Sequence, residues 1–271
     1  MYLLWLRVAA ALYGVASLAA LPAVLYGKVK WNKLCVGAAV GAVFFHFVSL
    51  TEMMNAAHHW IPVGMHEVQS LLALLIALAF LWITLRYKTS SFGMFALPLV
   101  FVLVLIPAIG PDKYTFTSPL IRNGWVTVHI AAVLSAYAAL IFSLLASVLY
   151  LLQEQRIKRK QRVVFLPWLP PLETMDQIAH RTLLIGFHTM TIGLLTGSLI
   201  AQSMMGPAYF RDPKVLLSFG MWLLFVVLLI IRRSQGLRGR RAVYLSSLVF
   251  LLMLSVWAAN QVSSFHRFTT P

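Results

Sequence analysis

Histidines are the side chains of this chain with the widest chemical potential. An imidazole can bind a metal ion or a haem iron through one nitrogen while its other nitrogen donates a hydrogen bond. Of the eight histidines, five lie within or beside short polar segments: His58, His59, His66, His129 and His266. The same residues could instead be interhelical hydrogen-bonding groups, interfacial residues beside Trp60 or a solvated tail residue. Their spacing alone leaves both interpretations open.

Other reactive residues limit the chemistry further. Cys35 is the one cysteine of the sequence, which excludes an internal disulfide and a CxxCH site for covalent haem attachment. No nucleophile stands at a recognisable spacing from a base, and the histidines and glutamates between residues 52 and 67 match no closed zinc pattern. We therefore predict that the chain is neither a c-type cytochrome nor an independent enzyme.

The composition indicates a membrane protein. Apolar residues make up 61% of the chain and charged residues 11%, against about 25% charged residues in soluble domains. The net charge of +15 could suggest nucleic acid, but the basic residues stand in short segments between apolar runs, where retention on the cytoplasmic side explains them. The sequence predicts a multi-pass protein of a bacterial-type inner (plasma) membrane, with the lipid bilayer as its surroundings and no nucleic-acid partner.

Eight apolar runs are long enough to span a bilayer, which takes about 20 mainly apolar residues. The hydrocarbon core holds no water for backbone polar groups, so these runs must be helical. We therefore predict an all-α fold, a polytopic membrane helix bundle of about eight transmembrane helices in a single transmembrane domain over residues 1–271. The predicted spans are 2–26, 34–55, 67–86, 91–110, 124–152, 180–204, 214–231 and 242–263.

The connectors between these spans alternate in charge. The positive-inside rule assigns the basic connectors to the cytoplasm. Both termini, and the five histidines named above, are then predicted on the outer side. The basic connectors contain Lys28, Lys30, Lys33, Arg86, Lys88, Arg156, Lys158, Arg159, Lys160, Arg162, Arg232, Arg233, Arg238, Arg240 and Arg241, whereas the opposite connectors and the tail contain Lys113, Arg122, Arg211, Lys214 and Arg267.

Arg7 is a charged residue inside a predicted span. It falls in the outer half of the first span, where an unpaired guanidinium is costly. The candidate partners are Glu52, Glu67 or an anionic group of a ligand.

The sixth span and its flanks contain three local patterns. Two prolines before LETMD (172–176) predict a short interfacial helix that leads into the span. Within the span, Gly193 and Gly197 form a small-xxx-small pair that favours close helix packing. After it, MGPAYFRDPK (205–214) is broken by glycine and proline and predicts a short polar lid outside the membrane.

Six segments of the second half occur in an order and spacing typical of one family. They are WVTVHIAAVLSAYAAL (125–140), LETMD (172–176), IGFHTMTIGLLTGSLIA (185–201), DPK (212–214), QGLRGRRA (235–242) and SSFHRF (263–268). With them, residues 124–271 resemble the cytochrome c assembly family, which includes the CcsA/ResC proteins of cytochrome c biogenesis and HemX-type membrane proteins. Residues 1–123 match loosely, through HHWIPVGMHEVQSL (58–71).

The resemblance implies a haem held at the outer face between histidines that flank a tryptophan-rich loop. The histidine of the family's W-x-x-x-H element corresponds to His129 and its C-terminal histidine to His266. The histidine before the proline corresponds to His59, with His58 as an alternative. The tryptophan-rich loop falls on residues 205–215, where this chain departs from the pattern. It keeps the glycine and the Asp-Pro-Lys element but has Met205, Tyr209 and Arg211 at the tryptophan positions and Val215 for the final glutamate.

From this resemblance we predict a haem b site with His129 and His266 as axial ligands of the iron. The other cofactor-binding residues are His59 or His58, the wall residues Trp125 and Tyr209, and the polar residues Asp212, Arg122 and Lys214. The predicted function is to hold or present haem at the outer face during cytochrome c maturation, for another biogenesis membrane protein or for apocytochrome c. The alternative is a HemX-type regulatory or scaffold protein of haem biosynthesis that acts through its cytoplasmic basic loops.

Overall fold

The computed structural model describes residues 1–57, 65–110, 124–158, 169–234 and 240–259. In these ranges the chain forms eight α-helices, one 3-10 helix and no strand, so the predicted all-α fold is confirmed. The helices are α1 (Tyr2–Tyr26), α2 (Val29–Ala57), α3 (Met65–Tyr87), α4 (Gly93–Ile109), α5 (Gly124–Lys158), α6 (Leu172–Met205), the 3-10 helix (Gly206–Arg211), α7 (Pro213–Ser234) and α8 (Arg240–Ala258).

The eight helices coincide with the eight predicted spans. Within the described ranges, α1, α2, α3, α5, α6 and α7 are long and apolar enough to cross a membrane, whereas α4 and α8 are shorter apolar helices. The polytopic helical membrane fold is therefore confirmed. The placement of both termini on the outer side stays a prediction.

Two segments around α6 differ from the sequence prediction. The interfacial helix predicted at residues 172–176 is the first turn of α6, which continues without interruption to Met205. The predicted polar lid is folded as the 3-10 helix, followed at once by α7. Gly206 has a φ of 61°, a left-handed conformation that glycine adopts without steric cost. Pro213 occupies the first position of α7, where its missing N–H costs nothing.

The described helices fall into two compact units. The first comprises Met1–Thr115 and Leu152–Met175. In it, α1 packs against α2 and α4, and α3 packs against the same two helices. Gly14 lies against Phe101, since a Cβ at this glycine would be 3.2 Å from the Phe101 ring. The absence of a side chain thus brings α1 close to α4.

A buried histidine links three helices of this first unit. The His46 side chain on α2 is inaccessible to solvent. Its Nε2 lies 2.8 Å from the Ser70 Oγ on α3, and its Nδ1 lies 3.4 Å from the Tyr13 hydroxyl on α1. A polar group inside an apolar bundle must find such partners. His46 is therefore a hydrogen-bonding group of the helix bundle.

The second unit comprises Phe116–Leu151 and Asp176–Pro271. The Ser143 hydroxyl on α5 donates to the Ala179 carbonyl of α6 at 3.0 Å. The Trp222 indole on α7 donates to the Thr191 hydroxyl of α6 at 2.9 Å and stacks on Phe187. Polar side chains thus fix α6 to its neighbours on two sides.

Candidate functional site around His129

His129 is the predicted iron ligand that lies within the described residues. It lies on α5, and its Nδ1 is 2.7 Å from the Gly193 carbonyl oxygen of α6. A carbonyl accepts hydrogen bonds and donates none, so Nδ1 must have the proton and donate it. The Nε2 atom of the neutral ring then has the free lone pair. This is the tautomer that a histidine needs to bind a metal through Nε2.

Two glycines of α6 make room for the imidazole. A Cβ at Gly197 would lie 2.5 Å from His129 Nδ1, and a Cβ at Gly193 would lie 2.7 Å from Val133 Cγ2. Real Cβ atoms do not approach other atoms so closely. The small-xxx-small pair therefore forms a recess that receives two residues one turn apart on α5. We call Gly193 and Gly197 the glycine recess.

The Gly193 carbonyl accepts a second side-chain hydrogen bond. The Thr196 hydroxyl donates to it at 3.1 Å and to the Ile192 carbonyl at 2.8 Å. The Gly193 carbonyl oxygen thus accepts a hydrogen bond from Thr196 of its own helix as well as from the His129 ring. The sequence predicted close packing at the two glycines, but it did not predict that the Gly193 carbonyl oxygen accepts a hydrogen bond from His129.

The Tyr209 side chain connects the 3-10 helix to α6. It is buried, and its hydroxyl lies 3.2 Å from the Ser198 Oγ. Ser198 directly follows Gly197 in the sequence. The tyrosine at a tryptophan position of the family pattern therefore contacts α6 at the residue that follows Gly197.

Asp212 has a structural role that its sequence pattern did not reveal. The carboxylate is buried, and its Oδ1 accepts the backbone N–H of Lys214 at 2.8 Å and that of Val215 at 3.4 Å. These bonds cap the N-terminus of α7, where the first N–H groups have no partner within the helix. The Asp212 carboxylate thus orients the start of α7.

Lys214 places a positive charge at the site. It is half-buried in the first turn of α7, and its ammonium lies close enough for its charge to act on the His129 imidazole. Of the predicted site residues, the structure therefore places Lys214 near His129. Asp212 orients the helix that carries Lys214, and Tyr209 contacts Ser198 of α6. Trp125 lies one helical turn before His129 on α5, with 63% of its surface exposed.

The remaining predicted site residues cannot be placed. His58, His59, Arg122 and His266 lie outside the described residues. Among the residues that the structure describes, no three His, Cys, Asp or Glu side chains come together as a metal site.

An ion pair occupies the opposite end of the α6–α7 pair. Arg232 Nη2 lies 2.7 Å from Asp176 Oδ1 and 3.2 Å from the Asp176 carbonyl oxygen. The two side chains are 8% and 20% exposed. Asp176 and Gly193 are separated by about 26 Å along α6 at 1.5 Å per residue. The ion pair therefore lies near the N-terminus of α6 and the His129 site in the second half of the same helix.

Comparison with known proteins gives one family and a set of relatives. Residues 64–260 match the family model described as Cytochrome C assembly protein. The chain is 26% identical to the cytochrome c biogenesis protein CcsA of Prochlorococcus marinus subsp. pastoris, over 76% of this chain and 75% of that protein. It is also 26% identical to CcsA of Guillardia theta, over 84% of this chain and 83% of that protein. No solved structure matches the chain.

Proposed function

Because the chain belongs to the cytochrome c assembly protein family, we propose that it binds haem b and holds it for cytochrome c maturation, with His129 Nε2 as one axial ligand. The multi-pass helical fold agrees with a protein that works in a membrane. The similarity to cytochrome c biogenesis proteins over three quarters or more of their length supports a role in this process.

The hydrogen bond from His129 Nδ1 to the Gly193 carbonyl is the observation on which the proposal depends. Histidines that bind metals usually donate their other ring N–H to an acceptor, which fixes the tautomer and the ring orientation. His129 has this second partner already in place, at 2.7 Å.

The neighbours of His129 suit the other parts of a haem. The positively charged Lys214 is a partner for a propionate carboxylate, and Arg122 is proposed for the same role. Tyr209 and Trp125 provide aromatic surface for the macrocycle. When bound, haem supplies an iron that accepts two axial imidazoles. His266 is the proposed second ligand, and His59 or His58 a further haem-binding residue.

Haem handling does not require this chain to form a covalent bond. Covalent attachment needs the thiols of a CxxCH segment, whereas the sequence has the single Cys35, which is buried. Those thiols belong to the recipient, so we assign this chain a holding role, with apocytochrome c or another biogenesis membrane protein as the recipient at the outer face of the membrane.

Haem content of the purified protein tests the proposal. The full chain is expressed in haem-replete cells and purified in detergent, and its Soret absorbance is measured per mole of protein. We expect a bis-histidine spectrum from the native chain and an at least tenfold weaker haem affinity for His129→Ala, since the ligand itself is removed.

His188→Ala is the matched control. The His188 Nδ1 also donates to a helix carbonyl at 2.7 Å, but that carbonyl belongs to Leu184 of its own helix. This substitution removes an imidazole without touching the glycine recess, so the haem content should stay unchanged. A native protein with no Soret band would refute haem binding. Equal haem content in both variants would refute ligation by His129.

A further inference from the structure

Arg7 lies in an apolar groove between α1 and α4. The groove has a volume of about 390 Å³ and is lined by Arg7 and by apolar side chains that include Ala11, Phe101, Leu105 and Ile109. Arg7 Nε donates to the Ala108 carbonyl at 3.1 Å. Arg7 is exposed, so its charged group and the apolar groove lie on one open surface of the first unit.

Four N–H groups of the guanidinium remain after the bond to Ala108, because arginine has five donors. Among the described residues these four have no hydrogen-bond partner, and neither of the two ion pairs in the described ranges includes Arg7. The charge therefore has no counterion in the part of the chain that the structure shows.

Glu52, one of the candidate partners of Arg7, is bonded elsewhere. The Trp5 indole donates to Glu52 Oε1 at 3.1 Å. Trp5 and Arg7 are two residues apart, which separates them by about 200° around a helix of 3.6 residues per turn. Trp5 thus faces α2 while Arg7 faces α4. The sequence-based pairing of Arg7 with Glu52 is not formed.

The depth of Arg7 matches the headgroup boundary of a bilayer. α1 has 25 residues and is about 38 Å long at 1.5 Å per residue, whereas the hydrocarbon core is about 30 Å thick. Arg7 is about 8 Å from the start of α1; if α1 is centred along the bilayer normal, the Arg7 Cα lies about 4 Å inside the hydrocarbon. Its long side chain can reach lipid phosphates from there.

We propose that this groove binds an anionic phospholipid, whose phosphate pairs with the Arg7 guanidinium and whose acyl chain lies along Phe101 and Leu105. A planar guanidinium binds a phosphate through two parallel hydrogen bonds. The apolar wall continues from the charge toward the membrane interior, which suits an acyl chain attached to that phosphate. The net positive charge at the groove favours a lipid with a net negative head over a zwitterionic one.

Native mass spectrometry of the full chain tests the lipid site. The purified protein is titrated with phosphatidylglycerol, and bound lipid is counted. We expect one tightly bound lipid in the native chain and an affinity at least tenfold weaker in Arg7→Gln, in line with the strength of hydrogen bonds to charged groups. Ala11→Leu keeps the arginine but fills the exposed groove, and should weaken binding to a similar extent.

Lys28→Gln is the control, since it removes one exposed positive charge away from the groove and should leave lipid binding unchanged. If Arg7→Gln unfolds in detergent, the Ala11→Leu variant decides the question. Equal affinity of the groove variants and Lys28→Gln would overturn the proposal, as would equal binding of phosphatidylcholine. Competition by glycerol 3-phosphate alone would show a site for free phosphate and would also overturn it.

Discussion

The glycine recess should make Gly197 intolerant of the smallest side chain. In Gly197→Ala the new Cβ would start 2.5 Å from His129 Nδ1, whereas ordinary contacts begin near 3.4 Å. The ring or the helix must therefore move by about 0.9 Å. A shift of this size along the 2.7 Å bond to Gly193 would lengthen it to about 3.6 Å, at which no hydrogen bond remains.

The cost of Gly197→Ala has two parts. Overpacking of a close interface destabilises a protein by about 1–3 kcal/mol, and the lost hydrogen bond adds about 1 kcal/mol. Because alanine's higher helix propensity offsets about 1 kcal/mol, the free energy of unfolding should fall by about 1–3 kcal/mol, measured by denaturant unfolding of the purified protein in detergent. Because the second partner of His129 is displaced, the haem affinity should fall about tenfold to a hundredfold.

Gly220→Ala is the matched control for this prediction. Gly220 also lies within a helix, but a Cβ there would meet no atom within 4 Å. Alanine has a higher helix propensity than glycine by about 1 kcal/mol, so this variant should be as stable as the native chain or more stable. Equal unfolding free energies for the two variants would refute the close contact at Gly197. A destabilised Gly197→Ala protein with native haem affinity would refute the link to ligation.

Two further predictions concern the ends of α7. Asp176→Asn should lower the free energy of unfolding by about 3 kcal/mol, since it leaves the largely buried Arg232 charge without its carboxylate partner. In a double-mutant cycle, the Asp176→Arg/Arg232→Asp exchange should recover part of this loss. No recovery would contradict a direct ion pair. Asp212→Ala should lower the free energy of unfolding by about 1 kcal/mol through loss of the helix cap, measured by thermal unfolding. Asp212→Asn should retain most of the stability, because an amide oxygen can also cap the helix. Equal losses of stability for both variants would contradict the cap.

The helices were predictable because their length and apolar composition are dictated by the bilayer. The faces by which they pack were not, since a helix in lipid is apolar on most sides and its sequence pattern does not mark its neighbours. Arg7 illustrates this limit. Glu52 was a reasonable partner by charge and predicted depth, but its bond to Trp5 shows that it contacts a different face of α1 from the one that carries Arg7.

The sequence offered candidate residues for the site but not its geometry. The spacing of Gly193 and Gly197 indicated close packing, but only the position of α5 shows that His129 and Val133 fill the space. The segment 205–214 resembled a polar lid because glycine and proline often mark loops. Here they fit the ends of two helices instead, with Gly206 opening the 3-10 helix and Pro213 starting α7.

Because α6 is one unbroken helix, its two side-chain contacts described above are mechanically linked. The helix is held by Arg232 at Asp176 and receives His129 at Gly193 about 26 Å away. A tilt of about 2° about the ion pair would move the Gly193 carbonyl by about 0.9 Å over this distance, as far as an added methyl group at Gly197 would push the ring. A small change in the tilt of α6 would therefore lengthen the bond to His129 without any contact at the imidazole itself.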